Sequence, residues 1–400
     1  MRILIADRVA GSVITSLEAA GCEVTSEPTL KDEALQQALS EIQPDTLVVR
    51  STKVHDNHIE AGDKLALIIR GGAGVNNIDL ESASVRGIYV ANCPGKNAIA
   101  VAELVMGHLI NLDRQISDNV ESLRAHKWEK KRFSKGKGLH GRTMAVLGTG
   151  RIGQEVIRRA QAFGMNVRGW DIALDQETAD AWGIQFCPTP LDACRDADAV
   201  TVHLPLTDDT RGLIDAPVLN ALQPGGYVIN TSRGGIVDEA ALMQAATDRG
   251  IRAGLDVYAN EPAANADRFE DAIADSTSVY GTHHIGASTA QASEAVGDEI
   301  VRIVRNYLAT GEVLNCVNLA KQSPATHLLV LRHLDKVGVL ATVLDLLRTA
   351  NINVQEMENI IFRGASAACA RIQMDSAPPK ELVEKIQSSP NIISISVVSI

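Results

Sequence analysis

Four side chains that could bind an acid and move a proton follow short apolar runs typical of buried strands: Arg233, Glu261, His283 and His284. An arginine fork suits a carboxylate, because it can donate two parallel hydrogen bonds to it. An imidazole titrates near pH 7, and a neighbouring carboxylate would raise its pKa and orient it as a base. Since the carboxyl ends of parallel strands face a ligand crevice, these residues predict a binding site for a small acid beside a proton acceptor.

A glycine-rich turn predicts a second kind of site. The apolar run 144–147 leads into Gly148, Gly150 and Gly153, and an amphipathic helical pattern follows. Strand, glycine-rich turn and helix in this order form the dinucleotide-binding fingerprint. The first glycine permits the tight turn, the second lets the backbone approach a pyrophosphate, and the third lets the helix pack on the strand. The free N–H groups at the helix N-terminus would face the phosphates.

The identity of the dinucleotide depends on the residue that ends the next predicted strand. That residue is Asp171, about 20 positions after the turn, where a carboxylate accepts hydrogen bonds from the ribose hydroxyls of NAD. The same carboxylate repels the extra phosphate of NADP, and Ile172 offers that phosphate no positive charge. The pattern predicts NAD as the cofactor, and NAD beside an acid site with a base indicates oxidation of an alcohol.

Alternating strand and helix patterns are typical of doubly wound α/β domains with parallel sheets. An α/β domain of this kind precedes the glycine-rich turn, and more βα units follow it. A long apolar helix, capped by Asn97 and running to about Val120, separates the two. The last 75 residues follow a βαββαβ pattern instead, which predicts a small ferredoxin-like unit.

Two loops of the first α/β domain are candidates for anion binding. Three glycines in 71–74 suggest backbone N–H groups open to an anion, and a plain loop is the alternative. Arg50, Ser51 and Lys53 could bind a phosphate, or they could be solvated surface residues.

Composition excludes several function classes. A net charge of −11 argues against nucleic acid as a partner, and no apolar stretch reaches the length of a membrane span. The six cysteines lack metal or disulfide spacing, so we expect reduced thiols, a cytoplasmic location and no metal. The start of the chain is too short and too charged for a signal peptide. Long apolar helices and Trp128 favour a homodimer or homotetramer.

Four motifs in order resemble the D-2-hydroxyacid dehydrogenase family: 148–153 (GTGRIG), 230–242 (NTSRGGIVDEAAL), 254–262 (GLDVYANEP) and 284–289 (HIGAST). By this resemblance Arg233 binds the substrate carboxylate and carbonyl oxygen, His284 is the acid/base, and Glu261 pairs with it. The expected cofactor-binding residues are Gly148, Gly150, Arg151, Ile152, Gly153, Asp171, His203, Thr231 and Asp256, with Asp256 at the nicotinamide carboxamide. The expected substrate-binding residues are Arg50, Ser51, Lys53, Ala73, Gly74, Asn97 and Arg233.

The resemblance also implies a domain order. A discontinuous substrate-binding domain would comprise 1–96 and 285–315, and an NAD-binding Rossmann domain of residues 97–284 would be inserted in it. A linker, 316–325, would lead to a C-terminal ferredoxin-like unit, 326–400, that resembles an ACT regulatory domain.

Within the family, the stretch around Arg50 resembles the phosphate-contacting segment of the members that act on 3-phospho-D-glycerate. The implied reaction is its NAD-dependent oxidation to 3-phosphohydroxypyruvate, the first step of L-serine biosynthesis. One alternative is a reductase of hydroxypyruvate, glyoxylate or 2-oxoglutarate. Another is a non-catalytic NAD-sensing or scaffold protein on the same fold.

Two positions depart from the family pattern. His283 replaces the usual proline before the catalytic histidine, so the choice of His284 rests on the isoleucine and glycine that follow it. In the ACT-like unit, His333 and Asn353 match the pattern of a serine site, but Asp335 replaces a neutral amide. A carboxylate there would repel the carboxylate of serine, which leaves another effector or a structural role open.

Overall fold

The computed structural model describes residues 1–262 and 268–400 of the chain. It divides into two compact units, Met1–Asn318 and Leu319–Ile400. The first unit contains two parallel sheets covered by helices, which confirms the predicted α/β class. The second unit contains one antiparallel sheet.

The first sheet has five parallel strands in the order β2-β1-β3-β4-β5. Its strands are short apolar runs because helices bury both faces of the sheet. The strands are β1 (Arg2–Ile5), β2 (Glu23–Ser26), β3 (Thr46–Val49), β4 (Leu67–Arg70) and β5 (Tyr89–Asn92), and the helices that follow the first four are α1 (Gly11–Ala19), α2 (Asp32–Ile42), α3 (Asp56–Ala61) and α4 (Leu80–Val85).

Three helices lead from the first sheet to the second: α5 (Ala98–Arg114), α6 (Ile116–Arg124) and α7 (Lys130–Phe133). The prediction of one continuous helix from 97 to 120 is wrong, because Gln115 adopts a left-handed conformation (φ 51°) that ends α5 and begins α6. Asn97 occupies the N-cap position of α5, but its side chain makes no capping hydrogen bond.

The second sheet has seven parallel strands in the order β12-β11-β10-β9-β6-β7-β8. The order reverses at β6, which pairs with both β7 and β9, and ligands bind at such a reversal in open α/β sheets. The strands are β6 (Thr143–Leu147), β7 (Asn166–Trp170), β8 (Gln185–Phe186), β9 (Ala199–Val202), β10 (Tyr227–Asn230), β11 (Arg252–Leu255) and β12 (Val279–Gly281). The helices are α8 (Arg151–Ala162), α9 (Gln176–Ala181), α10 (Pro190–Cys194), α11 (Ala216–Ala221) and α12 (Glu239–Arg249), with one 3-10 turn at Ala272–Asp275.

Helix α13 (Ala290–Thr310) returns to the first sheet and completes its core. Val296 and Ile300 of this helix belong to the buried cluster that contains Val13 and Leu17 of α1. Downstream of α13, Cys316 forms a bridge with Ala91, and the Asn318 side chain accepts a hydrogen bond from the Val90 amide at 2.8 Å. These two residues, which the sequence placed in a linker, therefore pack on the first sheet; the other domain boundaries stay predictions.

The second unit has the predicted βαββαβ order and an antiparallel sheet ordered β14-β15-β13-β16. Leu329, Leu331, Val343 and Ile372 form part of its core. The elements are β13 (His327–Leu334), α14 (Val339–Thr349), β14 (Val354–Ile361), β15 (Ala367–Met374), α15 (Lys380–Gln387) and β16 (Ile392–Ser399).

Among the described residues, no helix has the length and apolar character needed to cross a membrane. Cys22, Cys93, Cys187 and Cys194 are buried free thiols, while Cys316 and Cys369 are half-buried.

Candidate active site

A cleft of about 1050 Å³ opens in the first unit. Arg50 and Arg70, which follow or end strands of the first sheet, line one side of it. Glu261 and His284, which follow β11 and β12 of the second sheet, line another. The carboxyl ends of both sheets therefore contribute to one space, as expected for parallel sheets.

His284 and Glu261 form a hydrogen-bonded pair in this cleft. His284 Nδ1 lies 2.9 Å from Glu261 Oε2, and the histidine backbone adopts an uncommon left-handed conformation (φ 52°). The hydrogen bond to Glu261 raises the pKa of His284, while burial and Arg233 oppose the rise. Burial is the largest single influence on the pKa of Glu261 and raises it, but the hydrogen bond and charge of His284, the Tyr258 amide and Arg233 together leave that pKa lowered. The pair therefore favours a charged carboxylate beside a base of increased strength.

Asp256 lies fully buried beneath the loop that carries His284. Its carboxylate accepts hydrogen bonds from the Thr282 hydroxyl at 2.6 Å and from the amides of Ile285 and Gly286, each at 2.8 Å. These contacts anchor the loop on both sides of His284. The contact of Asp256 with the nicotinamide stays a prediction, because both oxygens of this carboxylate already accept hydrogen bonds from Thr282, Ile285 and Gly286.

Arg233 extends from the end of β10 towards the glycine loop of the first sheet. A Cβ atom placed on Gly74 would lie 2.5 Å from a terminal guanidinium nitrogen of Arg233, so the guanidinium occupies the space beside this glycine. The Arg233 side chain also donates a hydrogen bond of 2.6 Å to the Ser232 carbonyl. Arg233 and the backbone around Gly74, two of the predicted substrate contacts, are thus brought together.

Arg70 is a cleft residue that the sequence reasoning missed. Its guanidinium lies over Gly72, and its buried Nε has no hydrogen-bond partner among the residues that the structure describes. Burial, with Arg233 and Arg50 nearby, lowers the pKa of Arg70. Adjacent positive charges and an unsatisfied donor favour an anionic ligand. An anion would supply the negative charge that balances the arginines and an acceptor for the Arg70 Nε–H. Arg70 is the last residue of β4, and a charged residue at the carboxyl end of a parallel strand is a feature from which the sequence could have predicted a ligand contact.

The predicted phosphate loop is held by an aspartate of its own chain. Asp7 Oδ2 accepts hydrogen bonds from the amides of Arg50, Ser51 and Thr52 at 2.7, 3.1 and 3.0 Å, and Asp7 Oδ1 accepts one from the Ser51 hydroxyl. These donors are therefore already engaged. The Arg50 side chain lines the cleft, whereas Lys53 is exposed and is not among the lining residues.

The glycine-rich turn has the geometry that a pyrophosphate requires. A Cβ on Gly153 would lie 2.1 Å from the Gly148 carbonyl oxygen, so the helix packs on the turn at a distance that only glycine permits. Gly148 adopts φ 91°, which also requires glycine. A Cβ atom placed on Gly150 would meet no atom of residues 1–262 or 268–400 within 4 Å, apart from its chain neighbours, and α8 begins at the next residue, Arg151.

The remaining predicted cofactor residues also fit a nucleotide. Asp171 accepts from the amides of Thr149 (2.7 Å) and Ala173 (3.0 Å), and a carboxylate has capacity for further donors. Two of the predicted cofactor residues, His203 and Thr231, each have a buried polar atom without a partner among the described residues (Nδ1 and Oγ1), as a polar ligand would explain; Oδ1 of Asn97, a predicted substrate residue, is in the same state. Burial lowers the pKa of His203 to about 3, which keeps this imidazole neutral.

Two further residues lie near the loop that carries His284. His283 is exposed and makes no contact with Glu261 of the kind that His284 makes. Thr282, which the sequence did not single out, links Asp256 to the buried His108 of α5, whose Nε2 lies 3.2 Å from the Thr282 hydroxyl. The sequence offered no signal for this link, because it joins residues 174 positions apart.

The chain is similar to dehydrogenases of known sequence and structure. It is 38% identical over 328 residues to D-3-phosphoglycerate dehydrogenase of Methanocaldococcus jannaschii, covering 80% of this chain and 61% of that protein. It is 39% identical over 322 residues to D-3-phosphoglycerate dehydrogenase of Rattus norvegicus, covering 78% of this chain and 58% of that protein. The chain thus spans about three-fifths of the length of these relatives.

A solved structure of the NAD⁺-bound 3-phosphoglycerate dehydrogenase of Entamoeba histolytica has the same fold, with a TM-score of 0.66 and 26% identity over 80% of this chain and 99% of that one. Residues 106–286 match the family model described as D-isomer specific 2-hydroxyacid dehydrogenase, NAD binding domain. This segment contains the glycine-rich turn, Asp171 and the His284–Glu261 pair. Over residues 106–286, the chain therefore contains the NAD-binding domain of the D-isomer specific 2-hydroxyacid dehydrogenases.

Proposed function

We propose that this chain is an NAD-dependent dehydrogenase that oxidises 3-phospho-D-glycerate to 3-phosphohydroxypyruvate, the first step of L-serine biosynthesis. The observation that carries the proposal is a cleft lined by the His284–Glu261 pair, Arg50 and Arg70. Arg233 is not among the lining residues, but it is close enough to affect the pKa of both Arg70 and His284. The similarity to D-3-phosphoglycerate dehydrogenases at 38% and 39% identity supports the choice of substrate.

We infer a task for each group around the reacting carbon. Arg233 and the backbone near Gly74 hold the substrate carboxylate and the oxygen at C2. His284 Nδ1 faces Glu261, so Nε2 is the nitrogen left to take the hydroxyl proton. Glu261 then stabilises the imidazolium that forms, as a carboxylate behind a general base does. NAD, when bound, would supply the hydride acceptor for C2.

The arginines explain why a phosphorylated acid is the proposed substrate. A monocarboxylate would satisfy Arg233 alone, and it would leave Asp7, whose oxygens already accept from the Arg50 loop, as the carboxylate beside Arg50 and Arg70. A phosphate at the other end of a three-carbon acid would supply a further anion there. Lys53 is exposed and outside the cleft lining, so we assign it no role in binding.

We propose NAD rather than NADP as the cofactor of this reaction. Asp171 already accepts backbone hydrogen bonds through both oxygens, which fixes its carboxylate beside the turn. A fixed carboxylate accepts ribose hydroxyls and repels a phosphate on the same ribose. Ile172 is 93% exposed and brings no positive charge to this position.

We also propose that the second unit is an ACT regulatory domain whose effector is not serine. Its βαββαβ order and antiparallel sheet agree with that assignment. His333 is buried, with its Nε2 3.2 Å from Asn359 Oδ1, and Asp335 is an exposed carboxylate two residues away. Because Asp335 would repel the carboxylate of serine, we expect millimolar L-serine to leave the rate of 3-phospho-D-glycerate oxidation unchanged. Strong inhibition by L-serine that the Asp335→Ala substitution abolishes would refute this.

We propose a homodimer or homotetramer, because α5, α6 and the segment after them expose large apolar side chains. Trp128 is 82% exposed, and Ile99 and Leu123 are about half exposed. Light scattering of the purified protein should give a mass of two or four chains. A monomer at micromolar concentration would contradict this.

Steady-state kinetics with a panel of acids test the proposed reaction. We expect NAD reduction with 3-phospho-D-glycerate, and much lower kcat/KM with D-glycerate or D-2-hydroxyglutarate. Faster reduction of hydroxypyruvate, glyoxylate or 2-oxoglutarate by NADH than of 3-phosphohydroxypyruvate would identify the reductase alternative. Tight NAD binding without turnover of any of these acids would identify a sensor.

A further inference from the structure

His108 is a buried imidazole that the proposed reaction does not use. It lies on α5 and is only 4% exposed. A Cβ on Gly254 of β11 would lie 2.7 Å from the His108 Cβ, so this glycine leaves the space in which the histidine sits. Burial lowers the pKa of His108, although Asp256 opposes the effect, so the ring is neutral and has a single N–H to donate.

The hydrogen bonds around His108 have a defined direction. Thr282 Oγ1 lies 2.6 Å from Asp256 Oδ1 and 3.2 Å from His108 Nε2. An ionised carboxylate can only accept, so the single hydroxyl proton of Thr282 points to Asp256. The threonine oxygen must then accept from His108 Nε2–H. The imidazole thereby adds a second restraint to a hydroxyl that Asp256 already holds on one side.

Asp256 passes this constraint to the reactive loop. Its two oxygens accept from the amides of Ile285 and Gly286, the two residues that follow His284. We propose that His108 is a positioning residue, which sets the orientation of His284 through the Thr282 hydroxyl and the Asp256 carboxylate. The kinetic part of this inference rests on the proposed dehydrogenase function; the effect on the loop itself does not.

The test compares two substitutions at one position. His108→Leu removes the N–H but fills the space, whereas His108→Gln retains an N–H at about the distance of Nε2. One hydrogen bond contributes about 1 kcal/mol, so we expect His108→Leu to lower kcat for 3-phospho-D-glycerate oxidation about 3- to 10-fold. The KM should change less than about twofold, because arginines on other elements hold the substrate. His108→Gln should restore most of kcat.

Thr282→Val and the double variant identify the path. If His108 acts through the Thr282 hydroxyl, His108→Leu should have almost no further effect in a Thr282→Val background, since paired residues are non-additive. Tyr280→Phe is the matched control: it removes a hydroxyl from neighbouring β12 that bonds Asp118, not Asp256, and should leave kcat unchanged.

Amide hydrogen exchange at Ile285 and Gly286 provides a readout that needs no activity. His108→Leu should increase exchange there at least several-fold, and His108→Gln and Tyr280→Phe should not. Unchanged exchange and kcat in His108→Leu, equal losses in the Leu and Gln variants, or additive effects with Thr282→Val would each overturn the inference. If the wild-type protein oxidised none of the acids, the proposed function would fail, and the exchange rates would still decide the role of His108.

Discussion

The proposed reaction depends on one imidazole, that of His284, whose pKa is affected by two carboxylates and one arginine. Glu261 bonds His284 directly, and both Glu261 and Asp256 favour its protonated form, while Arg233 disfavours it. The left-handed backbone of His284 costs on the order of 1 kcal/mol and persists because Asp256 holds the amides of the next two residues. The hydrogen bonds to Asp256 therefore hold His284 in a strained but fixed backbone conformation.

The Glu261→Gln variant tests this control of basicity. Oxidation requires neutral His284, so kcat/KM should fall as the pH drops below the raised pKa of that histidine. Removing the carboxylate removes the main cause of the rise, so the acid limb should move to lower pH. The maximal rate should also fall about 10- to 100-fold, since the imidazolium loses its partner. The pH profiles of kcat/KM and of kcat measure the shift of the acid limb and the fall in maximal rate; an unmoved acid limb would contradict the pairing. His283→Asn, the adjacent control, should keep the wild-type profile.

A Gly74→Ala variant tests the position of Arg233. The new methyl group would lie 2.5 Å from the guanidinium, and the end of a flexible side chain can move aside, so the fold should survive. Loss of one charge-assisted contact costs about 1.5–3 kcal/mol, so we expect kcat/KM to fall about 10- to 150-fold with little change in Tm. Gly11→Ala, where nothing lies within 4 Å, is the control. Wild-type kinetics in Gly74→Ala would show that Arg233 does not act from this position.

At the scale of elements, parallel sheets explain why part of the site could be predicted. Arg233, Glu261 and His284 each follow an apolar run, and parallel strands bring their carboxyl ends to one edge. Contacts that depend on which strands are neighbours could not be read in this way. Asp7 and Arg50 are 43 positions apart, and their bond exists only because β1 and β3 are adjacent. The break at Gln115 was missed because the apolar pattern continues through it.

Two glycines of the nucleotide turn should respond differently to alanine. Gly153→Ala would place a methyl 2.1 Å from a backbone oxygen, so it should destabilise the nucleotide-binding part as well as abolish NAD binding. Gly150→Ala meets open space in the protein, so Tm should stay within a few degrees while NAD affinity falls, because the methyl occupies the place of the pyrophosphate. Calorimetry of NAD binding and thermal unfolding separate the two. Unchanged NAD affinity in Gly150→Ala would contradict the pyrophosphate assignment.

Glu299 connects α13 to the segment that leads into α5. It is buried and bonds Arg302 (2.5 Å), Lys96 (3.1 Å) and Asn315 (2.7 Å). Led by the Arg302 bond, these contacts lower the pKa of Glu299 to about 2. A lowered carboxyl pKa stabilises the fold above the unfolded-state value, and that stabilisation is lost as the pH falls towards the folded-state value.

Glu299→Gln should therefore lower the free energy of unfolding by about 1–3 kcal/mol at pH 7. The difference from wild type should shrink between pH 5 and pH 2. Urea unfolding at a series of pH values measures it. A difference that stays constant over this range would contradict the ionic role of Glu299.

At the scale of the whole molecule, the first unit divides the work between its two sheets. The second sheet supplies the nucleotide turn and the His284–Glu261 pair, and the first sheet supplies Arg50, Arg70 and the glycine loop. The order of motifs along the sequence predicted this division. It did not predict Arg70, because the position of Arg70 beside Arg233 and Arg50 depends on how the first unit folds. Arg70 is one of the main observations that support a phosphorylated substrate.

The ratio of kcat/KM for 3-phospho-D-glycerate to that for D-glycerate, measured with NAD, tests the central claim most directly. The two acids differ only in the phosphate that the arginines would bind. Two or more charge-assisted hydrogen bonds predict a ratio of about 100 or greater in wild type, falling at least about tenfold in Arg70→Leu. A wild-type ratio near 1 would contradict the proposed function.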